Sequence, residues 1–344
     1  MIVDSSSVAV ITPVFNGEPF LQECIDSVLN QTHRNIQYYI VDNCSTDRSL
    51  EIAELAAAAD DRVTVLRSTD HVGVIQNWNR SLNFLDKQSK YIKFVHADDW
   101  LYPDCIARMV EVADSNENVA LVSAYRLEEN RVTLDKLPED APLIPCVEGF
   151  TMNGRVVARA ILLERASVLG SPSSLLMRTE FLGDSSSFYD ESYLHADKHA
   201  ALLLLAEHDF GFVRQVLVYT RRHNESVSSM NNLLDTRRQE NLHLLLAHGP
   251  KILSDKDYGF AWEQELQDYY DFLAGNVGAG HSAEFWKSHT DNLQRAGITL
   301  SRWQLIKKFL RRWFNPALSL KELLRTRDIV KEGNKSRSAA GSSR

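Results

Sequence analysis

The sequence predicts an α/β fold with a mostly parallel central sheet flanked by helices, followed by a mainly helical C-terminal region. Two observations lead there. The first 130 residues alternate short apolar runs with stretches of helical spacing, the rhythm of βαβ units. The composition is ordinary for a globular chain, with 344 residues, 44% apolar and 24% charged, so a sizeable core can be buried.

The elements follow in order. Val8–Pro13 (VAVITP) reads as a buried strand. Pro19–Asn30 places Phe20, Leu21, Cys24, Ile25, Val28 and Leu29 at helical spacing. Ile36–Asp42 is the second strand, Asp47–Ala59 an Ala/Leu helix, and Val63–Leu66 the third strand. Val74–Leu85 returns to helical spacing. Tyr91–Val95 is the fourth strand, and Pro103–Ala113 a helix with proline in its first turn. Val119–Tyr125 is the fifth strand. Arg131–Gly149 holds three prolines and reads as a loop or linker. Ser171–Met177 is expected to be a strand, His195–Glu207 a helix and Phe210–Tyr219 a strand. From Leu233 the pattern is helical, with glycine breaks near 274–280. The domain expectation is therefore residues 1–230, in halves of about 1–127 and 150–230, then a helical region at 231–330 and a disordered basic tail at 331–344.

Composition excludes several classes. No run approaches the roughly 20 apolar residues of a membrane span. The first ten residues show no basic and apolar leader pattern, and the four cysteines (Cys24, Cys44, Cys105, Cys146) lack CxxC spacing. Neither a disulfide framework nor a zinc site is expected, and a cytoplasmic setting fits. The net charge of −8 argues against nucleic acid as a partner. That sum hides an asymmetry. Residues 302–344 hold 12 Lys/Arg and 3 Asp/Glu, a net +9, which leaves −17 on the rest. Within the tail, Trp303, Leu305, Ile306, Phe309, Leu310, Trp313 and Phe314 interleave with Lys307, Lys308, Arg311 and Arg312. Two readings stay open: peripheral contact with an anionic membrane through 301–344, at the inner face of a cell membrane, or packing of the apolar stripe on the catalytic domain.

In parallel sheets ligands sit beyond the carboxyl ends of the strands. After the first strand comes Thr12-Pro13-Val14-Phe15-Asn16-Gly17-Glu18, after the second Asp42-Asn43-Cys44-Ser45-Thr46-Asp47, and after the fourth His96-Ala97-Asp98-Asp99-Trp100. Any one of these could be helix-cap or turn chemistry. Three together at one edge point to a shared site.

The stretches ITPVFNGEPFLQECIDSVLNQTHRNIQYYIVDNCSTDRS, VGVIQNWNRSL and YIKFVHADDWLYPDCI resemble the family-2 glycosyltransferases, which have the Rossmann-like GT-A fold. The resemblance covers residues 6–125 and continues loosely through 188–228. It implies an inverting transfer from a nucleotide sugar, a UDP-hexose for preference, to a hydroxyl of a glycan or lipid-linked glycan, in surface polysaccharide biosynthesis. It further implies a nucleotide slot from Thr12, Pro13, Phe15, Glu18, Asp42, Asn79, Ala97 and Asp98, in which the Asp42 carboxylate suits the N3–H of uracil. It implies a Mn²⁺ or Mg²⁺ ion on Asp98 and Asp99, because carboxylate and phosphate oxygens suit such ions. The family's first metal-motif Asp is replaced by His96, which could face ribose or phosphate or bind metal itself. The family's Glu-Asp pair opening a late helix corresponds to Ala196-Asp197, which makes Asp197 the candidate base; the plain alternative is a first-turn carboxylate favoured by the helix dipole. Arg221 and His223 match a segment that would hold the diphosphate. Processive relatives carry Gln-x-x-Arg-Trp and membrane spans, both absent here, so one sugar per visit is expected. The competing readings are a degenerate nucleotide-sugar or glycan binder and a sugar-phosphate nucleotidyltransferase. The latter's Gly-rich first loop is missing, and no GxGxxG supports a dehydrogenase.

Overall fold

The computed structural model describes residues 6–84, 89–128, 131–133, 137–142, 149–183, 187–193, 195–221 and 236–313. The chain divides into two compact units, one of Met1–Met230 with Ala247–Lys256 and one of Asn231–Leu246 with Asp257–Arg344.

The first unit is built on one ten-stranded sheet, mixed in direction, with helices around it. The strands are β1 (Val8–Val14), β2 (Ile36–Asp42), β3 (Val63–Arg67), β4 (Tyr91–Phe94), β5 (Trp100–Leu101), β6 (Val119–Glu128), β7 (Arg131–Thr133), β8 (Gly149–Met152), β9 (Leu176–Arg178) and β10 (Asp209–Thr220). Their order is β3-β2-β1-β4-β9-β6-β10-β5, with β7 beside β6 and β8 beside β10. The β3-β2-β1-β4 half is parallel, as βαβ crossovers require, and so is β6 with β10. β9 lies antiparallel between β4 and β6, and β5, β7 and β8 are short antiparallel additions. The helices are α1 (Glu18–Leu29), α2 (Ser49–Ala59), α3 (Val74–Asn83), α4 (Cys105–Asp114), α5 (Gly154–Glu164) and α6 (Ala196–Leu205), then α7 (Arg237–Ile252), α8 (Asp255–Asn276), α9 (Ala283–Arg295) and α10 (Arg302–Trp313).

Local chemistry accounts for these elements. Central strands are near-continuous apolar runs because both faces are covered; Val8, Ala9, Val10 and Ile11 are fully buried. α1 starts with Pro19 in its first turn and buries Leu21, Cys24, Ile25 and Val28, one stripe at helical spacing. Gly17 precedes it for want of room. A Cβ there would stand 2.9 Å from Val14 Cγ2 and 3.2 Å from the Ala97 Cβ.

The structure departs from the sequence reading in three places. Of the expected strand at 171–177, Pro172–Ser174 forms a 3₁₀ turn and only Leu176–Arg178 is extended. Pro172 lacks an N–H for a ladder, and the turn closes through Ser174 N–H to Ser171 O at 2.8 Å. The proposed linker contributes β7 and the first residue of β8. The sequence reading passed over α5, which Asn153 caps by accepting from the N–H groups of Arg155 and Val156.

The His248 and His199 rings share a hydrogen bond of 2.9 Å between Nε2 and Nδ1, and the Tyr193 ring stacks on His199 at 3.9 Å. Burial, then His199 and Lys251, push the His248 imidazole down to about 4 from its usual 6.5. His199 is shifted down too, chiefly by burial. Below pH 6.5 the unfolded chain takes up a proton that native His248 refuses. Stability is therefore expected to fall as pH drops from 6.5 to 4, by up to about 3 kcal/mol. Denaturant midpoints across that range check it, and His248→Gln should flatten the dependence.

In the second unit Leu242, Tyr269, Leu273 and Leu293 form a core joined by Trp262, Phe272, Trp286 and Leu305. Inside it the Tyr269 hydroxyl meets His289 Nδ1 at 2.7 Å, and Asn292 Nδ2 donates to the same hydroxyl. α8 ends ahead of Gly278 and Gly280, both at positive φ, where the sequence marked a break. Among the described residues no helix is long and apolar enough to cross a membrane. Cys146 and residues 314–344, including the expected disordered tail, lie outside the described residues.

Candidate active site

The loops leaving β1 and β2 are zipped together beyond the sheet edge. Asn16 N–H donates to Ser45 Oγ, Gly17 N–H to Ser49 Oγ and Thr46 N–H to Asn16 Oδ1, at 2.8–3.0 Å. The two helices that follow cap one another. Glu18 N–H donates to Asp47 Oδ2 at 3.0 Å, and Arg48 N–H to Glu18 Oε2 at 3.1 Å. Glu18, expected at the nucleotide, is thus engaged at the start of α2, a favourable end for a carboxylate. Thr12, another expected slot residue, lies inside β1. Its side chain is fully buried, 2.9 Å from the Tyr38 hydroxyl, and takes no part in the rim.

Asp42 does stand at the rim, at the end of β2. Its carboxylate accepts the Ser45 N–H over long distances of 3.2 and 3.3 Å. Pro13 pairs with Val41 within the sheet, and Phe15, two residues on, is 47% exposed. The sequence reading overlooked His71, whose ring lies 4.3 Å from that of Phe15 and whose Nδ1 is 3.1 Å from Asn43 O. Asn43 Nδ2 and Oδ1 bond Val72 O and N–H, so the loop after β3 is tied to the end of β2.

After β4 the His96, Asp98 and Asp99 side chains bring ligand atoms within 4.8 Å of one another. Asp99 is 2% exposed. Its Oδ1 accepts the Arg221 N–H at 3.1 Å, while Oδ2 is buried without a hydrogen-bond partner. Burial above all pushes its carboxyl up to about 6; the Asp98 charge adds to this, and His96, the Ser173 hydroxyl and the Arg221 N–H oppose it. His96 Nδ1 lies 3.9 Å from Asp99 Oδ2, and its Nε2 is a second buried orphan. Each calls for a partner that the chain does not supply, and one bound ion would complete both. Oxygen donors with one imidazole suit a divalent cation, so the residues present fit the implied ion.

The group is held from behind. His96 N–H donates to Ser173 Oγ at 3.0 Å, and the fully buried Lys93 ammonium donates to Ser173 O at 2.8 Å. Burial pushes the Lys93 pKa down. The His96 ring stacks on Trp78, 5.6 Å between centroids and 18° between planes. Gly17 and Ala97 approach closely beside the group. Arg221 closes it from β10. Its Nε donates to Asp98 O at 3.2 Å, its guanidinium pairs with Glu23, and it lies 4.3 Å above the Phe20 ring. His223, the other expected diphosphate residue, lies outside the described residues.

Asp197 sits in the first turn of α6 and lines a pocket with Pro172, Leu175, Met177, Phe188, Tyr189 and Ala201. Rings connect that pocket to the acidic group: Tyr189 meets Trp78 edge-on at 5.2 Å, and Trp78 stacks on His96. Asn79, expected at the nucleotide, clamps this ladder instead. Its Nδ2 donates to Tyr189 O at 2.8 Å and its Oδ1 accepts Tyr189 N–H at 2.9 Å, which turns the amide inward. The nearby acids are otherwise engaged: Asp190 accepts from Ser192, and Glu191 from Gln76.

Residues 9–162 match the model of the family described as Glycosyl transferase family 2. Two curated relatives are GlyA of Streptococcus pneumoniae, 30% identical over 131 residues, and TuaG of Bacillus subtilis, named for teichuronic acid biosynthesis and 31% identical over 130. Each match takes 38% of this chain, and the chain spans 18% of GlyA and 51% of TuaG. Among solved structures, Staphylococcus aureus TarS 1–349 in complex with UDP-GlcNAc superimposes with a TM-score of 0.61 at 17% identity, covering 89% of both chains. The mannosyltransferase PcManGT of Pyrobaculum calidifontis, in complex with GDP-Man and Mn²⁺, gives 0.52 at 15% identity, over 91% of this chain and 88% of that one. These likenesses show the GT-A fold.

Proposed function

Residues 9–162 belong to glycosyl transferase family 2, and from that premise we propose that the protein transfers a hexose from UDP to a hydroxyl of a glycan acceptor, with inversion, one unit per visit. Surface polysaccharide is the pathway class, on the strength of the likeness to TuaG. The observation that carries the reading is the His96–Asp98–Asp99 group with its two orphaned buried atoms, closed on one side by Arg221.

Asp98, Asp99 and His96 would hold Mn²⁺ or Mg²⁺. When bound, the ion supplies positive charge where the departing diphosphate gains negative charge. The donors seen on the same fold, UDP-GlcNAc on TarS and GDP-Man with Mn²⁺ on PcManGT, support a nucleotide sugar. Asp42 would accept the N3–H of uracil, with Phe15 and His71 giving the base an aromatic edge. Pro13 and Ala97 would line the slot through backbone atoms. Arg221 exchanges its Glu23 partner for a diphosphate oxygen, a gain for a guanidinium already ordered by Phe20 and the Asp98 carbonyl. Asp197 takes the proton of the acceptor hydroxyl as that oxygen attacks C1 opposite the leaving group. The residues that line the pocket with it are mostly apolar.

Hydrolysis of a panel of UDP-, dTDP- and GDP-sugars, with Mn²⁺, Mg²⁺ or chelator, tests this. UDP-hexose turnover that chelator stops is the expected result. No turnover of any donor with either metal would overturn the enzyme reading. Tight nucleotide-sugar binding without turnover would instead identify a degenerate binder, in line with Ala196 where the family carries Glu.

A further inference from the structure

Helix α10 carries two apolar faces, and among the described residues only one of them is packed against the chain. Leu305, Lys308 and Phe309 are half-buried, at helical spacing on one side. Leu305 packs onto the core of the second unit, and Lys308 Nζ reaches Asp271 at 2.7 Å and Gln267 O at 3.3 Å. These contacts lie within the second unit, whereas the sequence reading of a packed helix named the catalytic domain as the partner. The other face holds Trp303, Ile306 and Leu310, exposed to 73%, 49% and 46%. Their spacing of three and four residues makes them a continuous stripe. Exposed Lys307 and Arg311 run along one border of the stripe, and Arg302 lies on the other. Among the described residues neither Lys307 nor Arg311 has an ion-pair partner.

We propose that this face of α10 docks on an anionic lipid surface, with Trp303, Ile306 and Leu310 entering the interface and Arg302, Lys307 and Arg311 meeting lipid phosphates. Charge decides the occupant. Residues 302–344 carry +9 while the rest of the chain carries −17, so an anionic surface attracts this segment and repels the remainder. A second copy of the chain would present the same cations to each other across a two-fold contact. A tryptophan at the end of a cation-bordered apolar stripe is the pattern of interfacial helices. The inference stands apart from the transfer reading, since it uses no residue of the acidic group.

Co-sedimentation of the full chain with vesicles tests it. Wild type is expected to pellet with vesicles of phosphatidylcholine containing about 30% phosphatidylglycerol, and at least about tenfold less with phosphatidylcholine alone or in 0.5 M salt. The triple variant Trp303→Ser, Ile306→Ser, Leu310→Ser keeps Leu305 and Phe309 in place, and an unchanged melting curve confirms its fold. It should lose at least about tenfold in bound fraction, and Lys307→Gln with Arg311→Gln should lose the salt-sensitive part. Equal pelleting of wild type and triple variant overturns the proposal. So does pelleting indifferent to lipid charge, or no pelleting at all. Concentration-dependent association that the triple variant abolishes, without lipid binding, would assign the face to a second copy and also overturn it.

Discussion

Replacing Asp197 by Asn is expected to abolish sugar transfer, with kcat lowered by roughly 10²–10⁴-fold, while the Kd for UDP in the presence of Mn²⁺ stays nearly unchanged. The argument rests on where the carboxylate stands. It opens α6 inside the pocket formed by Pro172, Leu175, Met177, Phe188, Tyr189 and Ala201. A chain of ring contacts, Tyr189 on Trp78 and Trp78 on His96, links that pocket to the acidic group. A group so placed can act on an acceptor without touching the nucleotide. The competing role is a first-turn carboxylate serving the helix dipole, worth about 0.5 kcal/mol of stability. In that role Asn would leave kcat intact and lower only the melting temperature. Single-turnover transfer and UDP binding measured on the same preparation separate the two. Asp190 and Glu191, the nearest other acids, are held by Ser192 and Gln76, so Asp190→Asn is expected to leave the rate largely in place.

Asp98→Ala is expected to remove the metal-dependent part of nucleotide binding. Loss of a carboxylate ligand should weaken Mn²⁺-dependent UDP affinity by at least about 10–100-fold, the range reached even by residues that only support a ligand. Asp98 suits this test better than Asp99. Asp99 Oδ1 anchors the Arg221 N–H and its side chain is buried, so its loss would disturb the site wall as well as the ion. Titration of UDP with and without Mn²⁺ reads the effect: wild type should show a large metal dependence and Asp98→Ala almost none. An undiminished metal dependence in the variant would mean that the ion sits elsewhere. A Ser173→Ala control, which removes the acceptor of the His96 N–H, should give a smaller loss, because it loosens the backbone and deletes no ligand.

The parallel half of the sheet was legible because β1 and β4 are buried almost throughout and the stretches between the strands keep helical spacing, so each element announces itself within about ten residues. The acidic rim was legible for a related reason: strand-end motifs are local in sequence. Contacts between distant segments were not. The Asn79 clamp on Tyr189 spans 110 residues and the Ser173 bond to His96 spans 77, distances at which periodicity carries no signal. Asn79 therefore looked like a pocket amide until its partner was in view. Thr12 misled differently. It lies near the end of β1 and just before a turn, as a rim residue would, yet the alternation of the strand turns its side chain toward Tyr38. The two-residue β5 and the three-residue β9 are too short to show a period at all. For α10 the sequence left open which side is packed: Leu305 joins the unit's own core while Trp303, Ile306 and Leu310 are exposed.

Cation-assisted gripping of a diphosphate at His96, Asp98 and Asp99 is the premise on which donor choice, Arg221 and Asp197 all depend. A crystal of the protein grown with UDP and Mn²⁺, with diffraction recorded at the manganese edge, examines it without recourse to turnover. An anomalous peak within bonding distance of the Asp98 and Asp99 carboxylates, with the diphosphate beside Arg221 and uracil against Asp42, is the expected result. Manganese and UDP absent from that group, or bound together at another place on the molecule, would contradict it.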